Sequence, residues 1–138
     1  MKKPFSCKAV EDVFDGYSKP VRRNLLRLRE LIFDEAAKLE GVGDIEETLK
    51  WGQLSYLPSV TKSGTTIRID KVKASEDKYA LYVHCQTNLL NIYRDLYSDV
   101  FEFEKNRAVL LDVMQPFPEM ELRHCIGMAL TYHLNKKS

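Results

Sequence analysis

The sequence predicts an α+β domain in which helices pack on one face of a mostly antiparallel sheet. Three observations predict it. Val21, Leu25, Leu28, Ile32, Ala36 and Leu39 recur at helical spacing in the first third of the chain. Residues 65–70, 79–85 and 101–104 alternate with period two or are rich in β-branched and aromatic types. The order runs from helices to strands with one helix inserted, then to a closing helix, without the regular alternation of a parallel βαβ sheet. A length of 138 residues suits one core, so residues 1–138 are read as a single domain. No internal repeat, low-complexity tract or linker divides it.

The elements follow in order. Val10, Val13, Phe14 and Tyr17 predict a short helix over 9–17, weakened at its end by Gly16. Ser18 can cap the next helix, and Pro20 is tolerated in its first turn. That helix runs to about Leu39 and is stopped by Gly41-Val42-Gly43. Asp44 with Glu47 three residues on has the form of a capping box, which predicts a short helix ending at Trp51-Gly52. Leu54 to Val60 reads as extended and is broken by Pro58. Ser63-Gly64 turns into the strand 65–70; a polar loop leads to the strand 79–85. Thr87 can cap a helix carrying Leu89, Leu90, Tyr93, Leu96 and Tyr97. Strands at 101–104 and 108–114 flank an Asn106-Arg107 turn. Pro118 opens a last helix through about Leu134, with Leu122, Ile126, Ala129 or Leu130, and His133 or Leu134 inward.

Composition narrows the function. A net charge of +1 argues against a nucleic-acid surface spread over the whole molecule. Arg22, Arg23, Arg27 and Arg29 form the densest basic cluster, and their spacing predicts a largely solvated helix face. Cys7, Cys85 and Cys125 are an odd, widely spaced set without a CxxC, which suits reduced thiols. The first residues lead into no apolar run, and no stretch approaches the ~18 apolar residues of a membrane span. The expectation is a cytoplasmic protein without a nucleic-acid or membrane partner, as monomer or homodimer.

A set of residues along the chain carries a family likeness. It consists of Val21-Arg22 with Leu28-Arg29, then Glu47-x-x-Lys50-Trp51-Gly52-x-x-x-Tyr56, and Thr66-x-x-x-Asp70. Tyr79-Ala80-Leu81-Tyr82-x-His84, Asn106-Arg107-Ala108 and Leu130-x-Tyr132-His133 complete it. In this order they resemble the YdhG-like domains, a bacterial family related by superfamily to YjbR-like and frataxin-named proteins. The resemblance covers nearly the whole chain. It implies an α+β fold with helices on an antiparallel sheet, and it implies no established activity. Some members carry an iron-chaperone name, which raises a frataxin-like carrier of iron or another metal as an alternative.

Candidate chemistry gathers around Trp51, the lone Trp. Trp51 and Tyr56 offer apolar walls, with core packing at a helix-to-strand corner as the plainer reading. Period two puts Arg68 and Asp70 on one strand face, and Tyr82 and His84 on another. One sheet face is then apolar and the other carries Arg68, Asp70, Tyr82, His84 and Glu102; with Trp51 and Tyr56 folded over that polar face, Glu47, Lys50, Arg68, Tyr82, His84 and Arg107 supply polar contacts to a cleft. An ordinary solvated sheet face, with Arg107 an exposed cation in a turn, is the competing reading. The histidine spacings match no metal-ligand set, and the acidic residues of the first two helices are interleaved with Lys and Arg. Cys85 follows His84 in a strand, so the two point to opposite faces. No catalytic residue, cofactor or metal ligand is assigned. The reading is a binding domain for a small ligand or protein partner, without catalysis. The alternatives are the metal carrier and an enzyme using His84 as general base with Arg68 holding an anion.

Overall fold

A computed structural model of the chain describes residues 3–73, 75–84, 86–105 and 108–136. Helices α1 (Lys8–Asp15) and α2 (Lys19–Lys38) come first. Strands β1 (Glu46–Lys50), β2 (Gln53–Leu57), β3 (Ile67–Lys71) and β4 (Lys78–Tyr82) follow. Helix α3 (Leu89–Tyr97) precedes β5 (Glu102–Glu104) and β6 (Ala108–Asp112), and α4 (Glu119–Leu130) and α5 (Tyr132–Lys136) close the fold. The six strands form one antiparallel sheet in the order β1-β2-β3-β4-β6-β5. This is the α+β architecture that the pattern predicts.

Register explains the layers. Leu49, Leu54, Ile69, Leu81, Val109 and Phe103 stand in one row across all six strands. Side chains in one row share a face. This row belongs to the core, where it meets Val10 and Phe14 of α1, Leu25, Leu28 and Ile32 of α2, Tyr93 of α3 and Ile126 of α4. The next row is Thr48, Ser55, Arg68, Tyr82, Ala108 and Glu104, and it lies on the opposite, polar face.

Three departures from the sequence reading have physical causes. The segment 44–51 is not a helix: Glu46–Lys50 is the edge strand β1, paired with β2 from Glu46↔Leu57 to Lys50↔Gln53. Its period-two pattern is masked, because one of its inward positions is a carboxylate, Glu47. The second departure is Arg29, which is not on a solvated helix face: it is 2% exposed, whereas Arg23 and Arg27 are exposed.

The third is the closing helix, which breaks at Thr131 instead of running through Leu134. The N–H groups of His133 and Leu134 donate to the Ser63 carbonyl. In return Thr65 N–H donates to the Ala129 carbonyl and Ser63 Oγ to that of Leu130. The 63–65 loop thus takes over the terminal carbonyls of α4, which a helix must satisfy somehow. Gly64 allows this approach, since a Cβ there would lie 2.2 Å from the Ala129 carbonyl oxygen. His133 and Leu134 are consequently exposed.

At α3 the N-cap position is Asn88, without a side-chain bond; the Thr87 hydroxyl donates to the His84 carbonyl at 2.7 Å, and its oxygen accepts the Leu89 N–H of the first helical turn at 3.5 Å. The strand expected over 79–85 stops at Tyr82, and Cys85 lies outside the described residues.

Candidate functional site

The sequence-selected residues divide between the two faces of the sheet. Glu47 and Tyr56 are opposite one another on β1 and β2, on the helix side. There they form a buried polar cluster with Arg29. The Arg29 Nε donates to Glu47 Oε2 at 2.5 Å and Nη2 to Oε1 at 3.0 Å. The Tyr56 hydroxyl donates to Oε2 at 2.7 Å, and the Ser6 N–H to Oε1 at 3.0 Å. Two further guanidinium N–H groups donate to the carbonyls of Lys3 and Pro4, which holds residues 3–6 over the cluster. Phe5 and Phe33 each stack near the guanidinium.

Burial raises the Glu47 carboxyl, but the bonds from Arg29, Tyr56 and Ser6 outweigh it and hold the group below the ordinary carboxylate value. Burial, then the Glu47 charge, pushes Tyr56 well above the ordinary phenol value, so it stays a donor. Every member is satisfied, and Tyr56 is 0% exposed. Glu47 and Tyr56 therefore belong to the core and do not line a cleft. Arg29, the residue that explains them, was legible only as one of four clustered arginines.

Lys50, Arg68, Tyr82 and His84 do come together. They line a groove of ≈ 790 Å³ on the polar face of the sheet. Gln53, Asp70, Lys71, Lys73 and Glu104 also line it. The volume is in the range of small-molecule sites. Four cationic side chains, Lys50, Arg68, Lys71 and Lys73, face two carboxylates.

One of those carboxylates is already engaged. Asp70 Oδ1 accepts from the Tyr17 hydroxyl and the Lys71 N–H, and Oδ2 from Gln53 Nε2 at 3.3 Å. Burial and then the Asp70 charge raise Tyr17 far above its ordinary value, so the Tyr17 hydroxyl remains the donor. Arg68 sits half-buried on β3 between Ser55 and Tyr82. Among the described residues its guanidinium has no carboxylate or hydrogen-bond partner. Arg29, by contrast, is paired with Glu47, and Arg123 with Asp34, Glu35 and Glu119.

His84 is exposed at the groove, and its ring Nδ1 accepts the Gln86 N–H at 3.1 Å. With a neutral ring, that bond leaves the proton on Nε2. Thr87 and Gln86 hold the turn that fixes this geometry.

Trp51 stands apart from both faces. It is 93% exposed and is not among the groove's lining residues, although its neighbours Lys50 and Gln53 are. Trp51 and Gly52 are the two central residues of the β1–β2 hairpin, with φ of 55° and 79°. Two positive φ values mark the type I′ turn, which favours Asn or Gly at its first central position. A Trp there costs about 1–2 kcal/mol.

Arg107, with Asn106, lies outside the described residues. Burial, helped by Glu121, pushes the Cys125 thiol up to about 12, so it is no thiolate nucleophile. Among the described residues no three His, Cys, Asp or Glu side chains gather as a metal site. No described helix is long and apolar enough to cross a membrane.

No family model matches the chain, and neither does any curated protein. Among solved structures, YdhG of Bacillus subtilis, a DUF1801 family protein, superposes with a TM-score of 0.64 at 16% identity. The match covers 95% of this chain and 93% of that one. Identity at that level speaks to architecture alone. By its fold, then, this chain is YdhG-like.

Proposed function

We propose that this protein is a binding domain for a small anionic ligand, carried in the polar groove around Arg68 without chemistry on the ligand. The observation behind the reading is the half-buried Arg68, which makes no ion pair or hydrogen bond with a carboxylate among the described residues. A guanidinium is a rigid fork suited to carboxylate and phosphate. Lys50, Lys71 and Lys73 add field of the same sign, and Nε2 of His84 adds a donor. The sheet supplies rigidity, and a rigid floor limits the ordering cost of binding.

The test is an amide-resonance titration with inorganic phosphate and with citrate at low salt. Shifts should concentrate on β3, β4 and the 50–53 turn. Arg68→Met should weaken binding roughly 10- to 100-fold, the range of a hydrogen bond to a charged group. Added salt should weaken it further. Shifts scattered over the surface, or binding indifferent to Arg68→Met, would sink the reading.

A further inference from the structure

The exposed Trp51 is unexplained by folding. The lone indole makes no ring contact or hydrogen bond among the described residues and is 93% exposed. It contributes almost nothing to the core. It also occupies a left-handed position, φ 55°, where a smaller residue would fit with less strain. Residues held in sparsely populated backbone regions cluster at functional sites. Its place suggests what that is. The residues on either side of the turn, Lys50 and Gln53, line the Arg68 groove. Gln53 extends the β2–β3 register to Asp70, and Arg68 lies two residues further along β3. Three residue steps therefore separate Trp51 from the Arg68 row, about 10 Å along the sheet. A ligand that spans about this distance would meet both residues.

We propose that Trp51 is the stacking half of the same site, and that the ligand is a small molecule carrying both a planar aromatic or heteroaromatic ring and an oxyanion. The oxyanion goes to Arg68 and the ring to the indole face at the hairpin tip. This rests on the anion-binding reading of the groove. It makes the edge hairpin a specificity element: the anion selects charge, and Trp51 selects flat ligands over compact ones. Stacking on an exposed aromatic is tolerant of the ring's identity, so the class is defined by shape and charge.

The experiment uses four probes: inorganic phosphate, phenyl phosphate, adenosine monophosphate and adenosine. Binding is followed by Trp51 fluorescence and by amide shifts, in the full chain and in Trp51→Asn and Arg68→Met. Phenyl phosphate, adenosine monophosphate or both should bind at least 10-fold tighter than inorganic phosphate, with quenching of the indole. Preference between them tells an aryl phosphate from a nucleotide. Trp51→Asn should abolish that advantage while leaving inorganic phosphate binding unchanged, and should raise Tm by about 3 °C as turn strain is relieved. Arg68→Met should weaken every phosphate probe.

Equal binding of the ring-bearing and ringless phosphates, unaffected by Trp51→Asn, would overturn the stacking role and leave the anion reading standing. Loss of all groove binding would overturn both. Indole burial that grows with protein concentration and disappears on dilution would overturn it in favour of a contact between copies.

Discussion

The buried Arg29–Glu47 pair offers the sharpest prediction about what holds the sheet edge to the helices. Both side chains are almost inaccessible, 3% and 2% exposed. Glu47→Gln keeps the shape and removes the charge. Arg29 then retains only the Lys3 and Pro4 carbonyls as strong partners, and its charge is uncompensated. Breaking a buried pair from one side costs about 3–5 kcal/mol. The amide preserves some hydrogen bonding, so the lower end, about 3 kcal/mol, is expected. A chain of this length loses roughly 3 °C of Tm per kcal/mol, so Tm should drop by about 10 °C.

The assay is urea unfolding at pH 7 followed by far-UV circular dichroism, with thermal scans alongside. The double variant Arg29→Met/Glu47→Leu separates pairing from packing. It should be less destabilised than the sum of its two singles by about 3 kcal/mol, since neither charge is then stranded. A Glu47→Gln protein within about 0.5 kcal/mol of the parent, or a strictly additive double, would refute the reasoning.

The remaining predictions concern pH, the α4–α5 corner and the groove. Glu47 has its carboxyl held below its ordinary value of 4.5, so its stabilisation is present above that pH and is lost as pH falls through the depressed folded value. Acid titration of stability should thus steepen below about pH 4.5 in the parent and be shallower there in Glu47→Gln. Gly64→Ala forces a Cβ against the Ala129 and Leu130 carbonyls and should cost about 3 kcal/mol in urea unfolding; a loss well under 1 kcal/mol would mean the corner relaxes. Arg68→Met should leave stability within about 0.5 kcal/mol of the parent while weakening anion binding, because no folded-state partner of Arg68 is lost among the described residues.

The elements that the sequence revealed are those whose buried positions are apolar. Val21, Leu25, Leu28 and Ile32 predict α2, and Tyr79 and Leu81 predict β4, because burial selects apolar side chains at the period of the backbone. β1 was hidden for the converse reason. Its inward position 47 is a carboxylate whose compensation, Arg29, lies 18 residues away and is invisible to any local window. The Asp44…Glu47 spacing then imitated a cap. The break between α4 and α5 was hidden because its cause, the Ser63-Gly64 loop, is also distant in sequence.

The candidate site was partly legible. Alternation alone assigns Arg68 with Asp70 and Tyr82 with His84 to shared faces. Whether those two faces coincide is a matter of register, and Arg68↔Tyr82 settles it. Trp51 and Tyr56 looked like two walls of one cleft, yet hairpin pairing sends Tyr56 into the core and leaves Trp51 at the tip.

By itself the sequence determined the α+β class, most element positions and the apolar side of the central strands. Those follow from backbone periodicity and the transfer of apolar surface out of water, which are local and additive. Only the tertiary structure decided which charges are buried and paired and which face the groove. Electrostatic partnership depends on distance in space, and residues 29 and 47 meet through packing of a helix on a sheet edge that no spacing along the chain encodes.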